Sequence, residues 1–197
     1  MFITFEGPDG SGKTTQSELL YKEFLRQGKS AVWTREPGGT DFGQNIRRIL
    51  LDDTRLKLAP EAELLLFTAD RAQHVAEVIR PALQAGKIVI CDRYIDSTTA
   101  YQAGGRGFSA ELIERLNACS TGGLLPDRTF LLDIPSELGL QRATRQRADK
   151  FEQESLLFHQ KVRAAYLELA SHDKRFHVLD GAKTKEEIFA EILQLFN

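Results

Sequence analysis

Residues 7–14 read Gly-Pro-Asp-Gly-Ser-Gly-Lys-Thr, the full G-x-x-x-x-G-K-[ST] spacing of a phosphate-binding loop. Gly7, Gly10 and Gly12 let the backbone wrap closely around a phosphate chain, and Ser11 and Thr15 complete the stretch expected to touch it. Lys13 is expected to reach the β- and γ-phosphates, and the Thr14 hydroxyl to ligate a nucleotide-bound Mg²⁺. The loop follows an apolar run, Phe2-Ile3-Thr4-Phe5-Glu6, and opens a helical stretch. Strand, glycine loop and helix N-terminus together turn backbone N–H groups and a helix dipole onto an anion. The chain is therefore expected to bind a nucleoside triphosphate. Asp9 is unusual in such a loop, because a carboxylate opposes phosphate. It serves either a second substrate, or a water on the metal, or is a solvated turn residue.

Four further clusters bear on chemistry. Asp92 stands at the C-terminal end of the apolar run 87–91, the edge where ligands gather in open α/β sheets. It is a candidate metal ligand, directly or through water, with Arg93 as a fixed cation beside it; the alternative is a capping acid and its counter-ion. Phe67 and Arg71 lie four apart on a long helical stretch, with His74 one turn on. A ring beside a guanidinium suits an aromatic base, whereas a core Phe and a surface pair of Arg71 with Asp70 or Glu63 is the plainer reading. Arg142, Arg145 and Arg147 crowd one segment; they form either a clamp on a transferring phosphoryl group or a solvated helix face. Arg35-Glu36-Pro37-Gly38-Gly39-Thr40 must turn after the second strand, and Arg47 and Arg48 follow on a helix. A second substrate is expected against that loop.

The elements that must position these groups alternate. Strands are expected at 2–6, 30–35, 87–91, 128–134 and 175–179, mostly as short apolar runs suited to a parallel sheet covered on both faces. Helices are expected at 13–27, 42–51, 60–84, 96–118, 136–170 with a break near 146–149, and 184–196. Thr184 and Glu187 make a capping box, Pro60 suits a first helical position, and Gly28 and Gly86 suit helix ends. Gly104-Gly105-Arg106-Gly107 interrupts the 96–118 stretch and reads as a loop candidate. The expected architecture is a three-layer α/β/α domain spanning residues 1–197.

Composition narrows the class. The 197 residues are 42% hydrophobic and 27% charged, with a net charge of −2, which speaks against a general nucleic-acid surface. Cys91 and Cys119 are too few for a disulfide framework, which fits a reducing, cytoplasmic compartment. A strand starting at Phe2 leaves no room for a signal peptide, and no apolar run approaches a bilayer span. The four histidines lack zinc spacing, and there is no Gly-x-Ser-x-Gly elbow.

The clusters occur together, and in order, in one family. The chain resembles thymidylate kinases through Phe5-Glu6-Gly7-x-Asp9-Gly10-x-Gly12-Lys13-Thr14-Thr15, Thr34-Arg35-Glu36-Pro37-Gly38-Gly39-Thr40, Phe67-x-Ala69-Asp70-Arg71-x-Gln73-His74, Asp92-Arg93-Tyr94, Ala100-Tyr101-Gln102 and Asp149-x-Phe151-Glu152. The resemblance implies a five-stranded parallel sheet of the P-loop nucleoside-monophosphate-kinase type, Mg²⁺-dependent transfer of the γ-phosphoryl of ATP to dTMP, and a homodimer. It implies that Asp9 accepts from the sugar 3′-hydroxyl, that Phe67 stacks on thymine, and that Arg71 bonds the base edge. Arg93, assisted by Arg47, would grip the acceptor phosphate; Glu36, Ser97, Thr98, Tyr101 and Gln102 would line the acceptor. Tyr101 would stand where a ribose 2′-hydroxyl must go, and Arg142, Arg145 and Arg147 would form a lid around 142–152. Gly10 after Asp9, together with an arginine-rich lid, fits the bacterial-like subtype. Lys150 departs from the family's usual arginine after the lid acid and loses its bidentate fork. Rival readings are a kinase for another nucleotide or a deoxynucleoside, a nucleotide-switched binding protein, and an inactive paralogue.

Overall fold

The computed structural model describes residues 1–52, 56–143, 151 and 153–196. Five strands, β1 (Phe2–Glu6), β2 (Ala31–Arg35), β3 (Ile88–Asp92), β4 (Arg128–Asp133) and β5 (Phe176–Asp180), form one sheet in the order β2-β3-β1-β4-β5. All pairings are parallel. Each strand lies within about one residue of its sequence expectation, because short apolar runs bounded by polar turns leave little choice of boundary.

The two-residue period of β1 sorts its side chains. Ile3 and Phe5 face a core shared with Leu20 and Phe24 of α1 (Lys13–Arg26) and Ile188 and Ile192 of α9 (Lys185–Gln194). Phe2 faces the other side, against Val75, Ile79 and Tyr94. On that side run α3 (Pro60–His74), which continues through one wide π turn, Val75–Ile79, into α4 (Arg80–Gln84). Helices therefore cover both faces, as the apolar strands require. The Thr184 capping box starts α9 as expected, and Pro60 opens α3.

The helical stretch 96–118 is divided where the glycine run at 104–107 was expected to interrupt it. A short α5 (Ile95–Thr98) runs into a π turn, Thr99–Gly105, and a separate α6 (Ala110–Thr121) begins after Gly107, with the Ser109 side chain capping it. Gly104 and Gly105 are packed closely: a Cβ on Gly104 would stand 2.6 Å from Ala165, and one on Gly105 2.5 Å from the Phe158 ring. The double glycine thus lets the π turn press against α8 (Leu156–His172). The remaining helices are α2 (Asp41–Arg47), extended by a π turn over Arg48–Asp52, and α7 (Ser136–Ala143).

Register fixes where the chemistry can assemble. Phe5 and Arg35 both pair with Asp92, and Glu6 pairs with Leu131. The carboxyl ends of β1, β2 and β3 are therefore level. The glycine loop, the Arg35-Glu36 turn and Asp92-Arg93 emerge side by side at one edge of the sheet.

Candidate active site

A cavity of about 430 Å³ opens at this edge. Gly10, Gly12, Lys13, Thr14 and Thr15 line one part of it; Glu36, Arg47, Phe67, Arg71, Arg93, Ser97, Thr98, Tyr101 and Gln102 line another. Asp9, Asp92 and Arg142 also line the cavity. Gly7 and Ser11 are not lining residues: Gly7 offers its carbonyl to Arg93, and Ser11 is buried behind the loop. Arg145 and Arg147 lie outside the described residues, as do Asp149, Lys150 and Glu152.

The loop adopts left-handed backbone at Gly10 and Gly12 (φ 74° and 95°), where a side chain would be strained. Gly10 also meets α7: a Cβ on it would stand 2.1 Å from the Gly139 carbonyl oxygen. Lys13 is buried, and its Nζ donates to the Pro8 carbonyl at 2.8 Å. Burial first, and the Arg93 guanidinium second, pull its ammonium down to about 8. Anionic phosphate oxygens would reverse both effects.

The Thr14 hydroxyl donates to Asp92 Oδ2, while Asp92 Oδ1 is buried with no partner among the described residues. A hydroxyl and a carboxylate side by side, one carboxylate oxygen unmatched, form a hard-oxygen pair suited to Mg²⁺ carried in by a nucleotide. Among the described residues no group of three or more acids, histidines or cysteines is arranged to hold a metal ion. The donors thus suit a metal that takes most of its ligands from phosphate and water.

Asp9 is not a solvated turn acid. Its Oδ1 accepts from Arg93 Nη2, and its Oδ2 from the Tyr101 hydroxyl at 2.7 Å. Burial pushes its carboxyl up, but Arg93, Lys13 and Tyr101 together outweigh that and hold it below the usual aspartate range. Arg93 has a left-handed backbone (φ 71°), uncommon for a residue with a side chain. Its Nη1 donates to Gly7 O (3.3 Å), Ser97 Oγ (3.1 Å) and Tyr166 Oη (3.3 Å).

Arg71 and Glu36 form a buried pair. Arg71 Nε donates to Glu36 Oε2 at 2.8 Å, and its Nη groups donate to Asn117 Oδ1 and the Tyr94 carbonyl. The surface pairing with Asp70 or Glu63 does not form; Glu63 instead takes Arg106 and Gln102. His74 links the other Glu36 oxygen, 2.9 Å away, to Thr34 Oγ1 at 2.6 Å. Phe67 is half-buried beside Phe151, with ring centroids 5.8 Å apart. Arg47 donates to the Pro37 carbonyl, which holds the turn after β2 against α2. Arg142 donates to the carbonyls of Gly181 and Ala182, in the connection between β5 and α9. It therefore braces that connection in the described state.

Asp70 supplies a stability prediction. Its Oδ1 accepts from the Gly38 N–H, but Oδ2 is buried with no partner among the described residues. Burial, then Glu36, raises its carboxyl from 3.8 to about 6. The folded chain thus holds this proton more tightly than the unfolded chain, so the group penalises folding above pH about 6, and the penalty fades as pH falls toward 4. Asp70→Asn is expected to stabilise the protein by about 1–2 kcal/mol at pH 8, with no gain at pH 4. Urea melts at both pH values check this; an equal effect at both would exclude ionisation as the cause.

Sequence reasoning missed Tyr166 and gave Glu6 no role. Tyr166 continues the buried stripe of Phe158 and Val162 on α8 and reads as core. The available signal was an acid closing the otherwise apolar strand β1.

A central parallel sheet, a glycine-rich P-loop after its middle strand and a second, aromatic and arginine-bearing part of the same cavity define a P-loop phosphotransferase of the nucleoside-monophosphate-kinase type. A family model for thymidylate kinase matches residues 5–192. The thymidylate kinases of Carboxydothermus hydrogenoformans and Halothermothrix orenii are 51% and 47% identical, over 97% and 98% of this chain and 94% of each of theirs. A crystal structure of thymidylate kinase from Ehrlichia chaffeensis superposes with a TM-score of 0.81 at 37% identity, covering 100% of this chain and 98% of that one. The chain belongs to the thymidylate kinase family.

Proposed function

We propose that this protein transfers the γ-phosphoryl group of ATP to dTMP, yielding ADP and dTDP, with Mg²⁺ as the metal. The observation that carries the reading is the single cavity in which the phosphate loop faces Phe67, Arg71, Arg93 and Tyr101. A nucleotide-switched binding protein needs no such second wall. Residues 1–197 act as one kinase domain, with the segment 142–152 as its lid.

The acceptor already carries a phosphate, so it needs little help from a base. The protein's task is alignment and charge neutralisation. Lys13 holds the β- and γ-phosphates, while Gly10, Ser11, Gly12 and Thr15 supply the cradle. Thr14 and Asp92 would hold Mg²⁺, which would neutralise charge on the phosphate oxygens. Arg93 offers the acceptor phosphate its Nε–H, which has no partner among the described residues. Arg47 assists. Phe67 stacks on the base and Arg71, fixed by Glu36, meets its edge. Asp9 and Tyr101 take the sugar; their mutual hydrogen bond supports the exclusion of a 2′-hydroxyl. Ser97, Thr98 and Gln102 complete the wall. Arg145 and Arg147 neutralise the moving phosphoryl group, with Arg142 at the base of the lid.

Exposed Phe42, Leu65 and Leu112 lie on α2, α3 and α6, where α2 packs on α3 and α3 on α6. This supports a homodimer through these helices. No helix among the described residues is long and apolar enough to cross a membrane, and Cys91 and Cys119 are free thiols. The free thiols fit a reducing, cytoplasmic location.

The test is ADP release from ATP·Mg²⁺ against dTMP, dUMP, dCMP, UMP, CMP, AMP, GMP and thymidine. Turnover confined to dTMP, with dUMP slower, is expected. Fast turnover with another acceptor would overturn the pocket roles. Phe67→Ala is expected to raise KM for dTMP about tenfold, the order of one lost stacking contact, with little change in kcat. A large fall in kcat at constant KM would contradict stacking.

A further inference from the structure

Beneath the cavity floor, Glu6 is buried at the end of β1 and is absent from the cavity lining. It nevertheless touches two of the side chains that hold Arg93, and the backbone beside it. Its Oε1 accepts from the backbone N–H of Tyr94 at 2.7 Å, immediately after the left-handed Arg93. Its Oε2 accepts from Ser97 Oγ at 2.6 Å and from Tyr166 Oη at 3.1 Å. Those two hydroxyls stand 2.8 Å apart, and both receive Arg93 Nη1.

The directions of these bonds follow from chemistry. A guanidinium can only donate, so both hydroxyl oxygens must accept from Arg93. Each hydroxyl proton must then point elsewhere. An ionised carboxylate only accepts, and Glu6 Oε2 is within reach of both. Glu6 therefore turns two ambivalent hydroxyls into acceptors aimed at Arg93 while pinning the adjacent backbone.

We propose that Glu6, through the hydroxyls of Ser97 and Tyr166, is the positioning residue for Arg93, and that Tyr166 ties α8 to the acceptor-phosphate site. The kinetic side of this inference rests on the dTMP reading above. Burial, then Asp96, pushes Glu6 up to about 7, while Ser97, Arg93 and the Tyr94 N–H oppose the rise. The assay therefore belongs at pH 8, where the carboxylate is ionised.

Glu6→Gln keeps the shape but presents an amide N–H₂ or a single acceptor to the two hydroxyls. Tyr166→Phe removes one oxygen and leaves the ring packing. At pH 8, Glu6→Gln is expected to raise KM for dTMP about tenfold and to lower kcat, the size of one lost charge-assisted contact, with KM for ATP within about twofold. Tyr166→Phe should shift the same constants less, and the double variant should be no worse than Glu6→Gln alone. A second readout needs no substrate. Nitrogen-15 NMR of the free protein should show slow rotation about the Arg93 Nε–Cζ bond in the parent and faster rotation in both variants. Parent-like rotation with parent-like KM for dTMP in Glu6→Gln would overturn the proposal, as would equal rises in both KM values. If the parent shows no dTMP-dependent ADP release, the acceptor reading has failed, and the Arg93 rotation alone decides the positioning role.

Discussion

Arg93→Lys is expected to lower kcat/KM for dTMP by about 10²–10³, the usual consequence of losing a preorganised charge-stabilising donor. The charge survives the substitution, so the loss must come from geometry. Arg93 spreads its contacts over Gly7, Ser97 and Tyr166 through one nitrogen and over Asp9 and Tyr101 through another. A lysine is a point charge on a flexible stem and can satisfy one side only. Asp9 then faces the incoming phosphates with its strongest partner gone, and repulsion adds to the misalignment. Steady-state kinetics with dTMP varied at saturating ATP measure the loss. A parent-like kcat/KM would remove Arg93 from the reaction.

Gly10→Ala is expected to cost about 2–4 kcal/mol of stability, in the range of backbone strain combined with overpacking, and to abolish measurable ATP binding. The left-handed φ of 74° is one cause. The other is the 2.1 Å approach of the new Cβ to the Gly139 carbonyl oxygen, a backbone atom that cannot swing aside. Either the loop or α7 must move, and moving the loop displaces the N–H groups that cradle phosphate. Denaturant melts and calorimetric titration with ATP give the two numbers. A variant of parental stability that binds ATP normally would show that the loop and α7 are not in fixed contact.

Much of this was legible in the chain. The five strands and the glycine loop are local features, set by apolar runs and by glycines at fixed spacing. Phe67 and Arg71 were legible as a pair because helical geometry forces positions four apart onto one face. Partner choice was harder. Nothing near Arg71 in sequence announces Glu36, which lies 35 residues away in the turn after β2. Arg142 reaches the Gly181 and Ala182 carbonyls across a long chain separation, so spacing within its own segment was silent about it. The interruption of 96–118 was legible from Gly104-Gly105-Arg106-Gly107, but not that the double glycine lies in a π turn that admits α8. Tyr166 was hidden by its own apolar stripe. The hydroxyl that matters sits at the tip of a ring that otherwise belongs to the core.

Phe151 packs against Phe67 and Tyr101, with centroids 5.8 and 5.6 Å apart, and lines the cavity with the phosphate loop. It is also the residue that follows the arginine-bearing segment in the chain. One ring therefore belongs to the wall proposed to meet the acceptor and to the stretch proposed to close over the donor. Linkage makes the consequence reciprocal. Whatever factor dTMP adds to ATP affinity by selecting a placement of this ring, ATP must return to dTMP affinity.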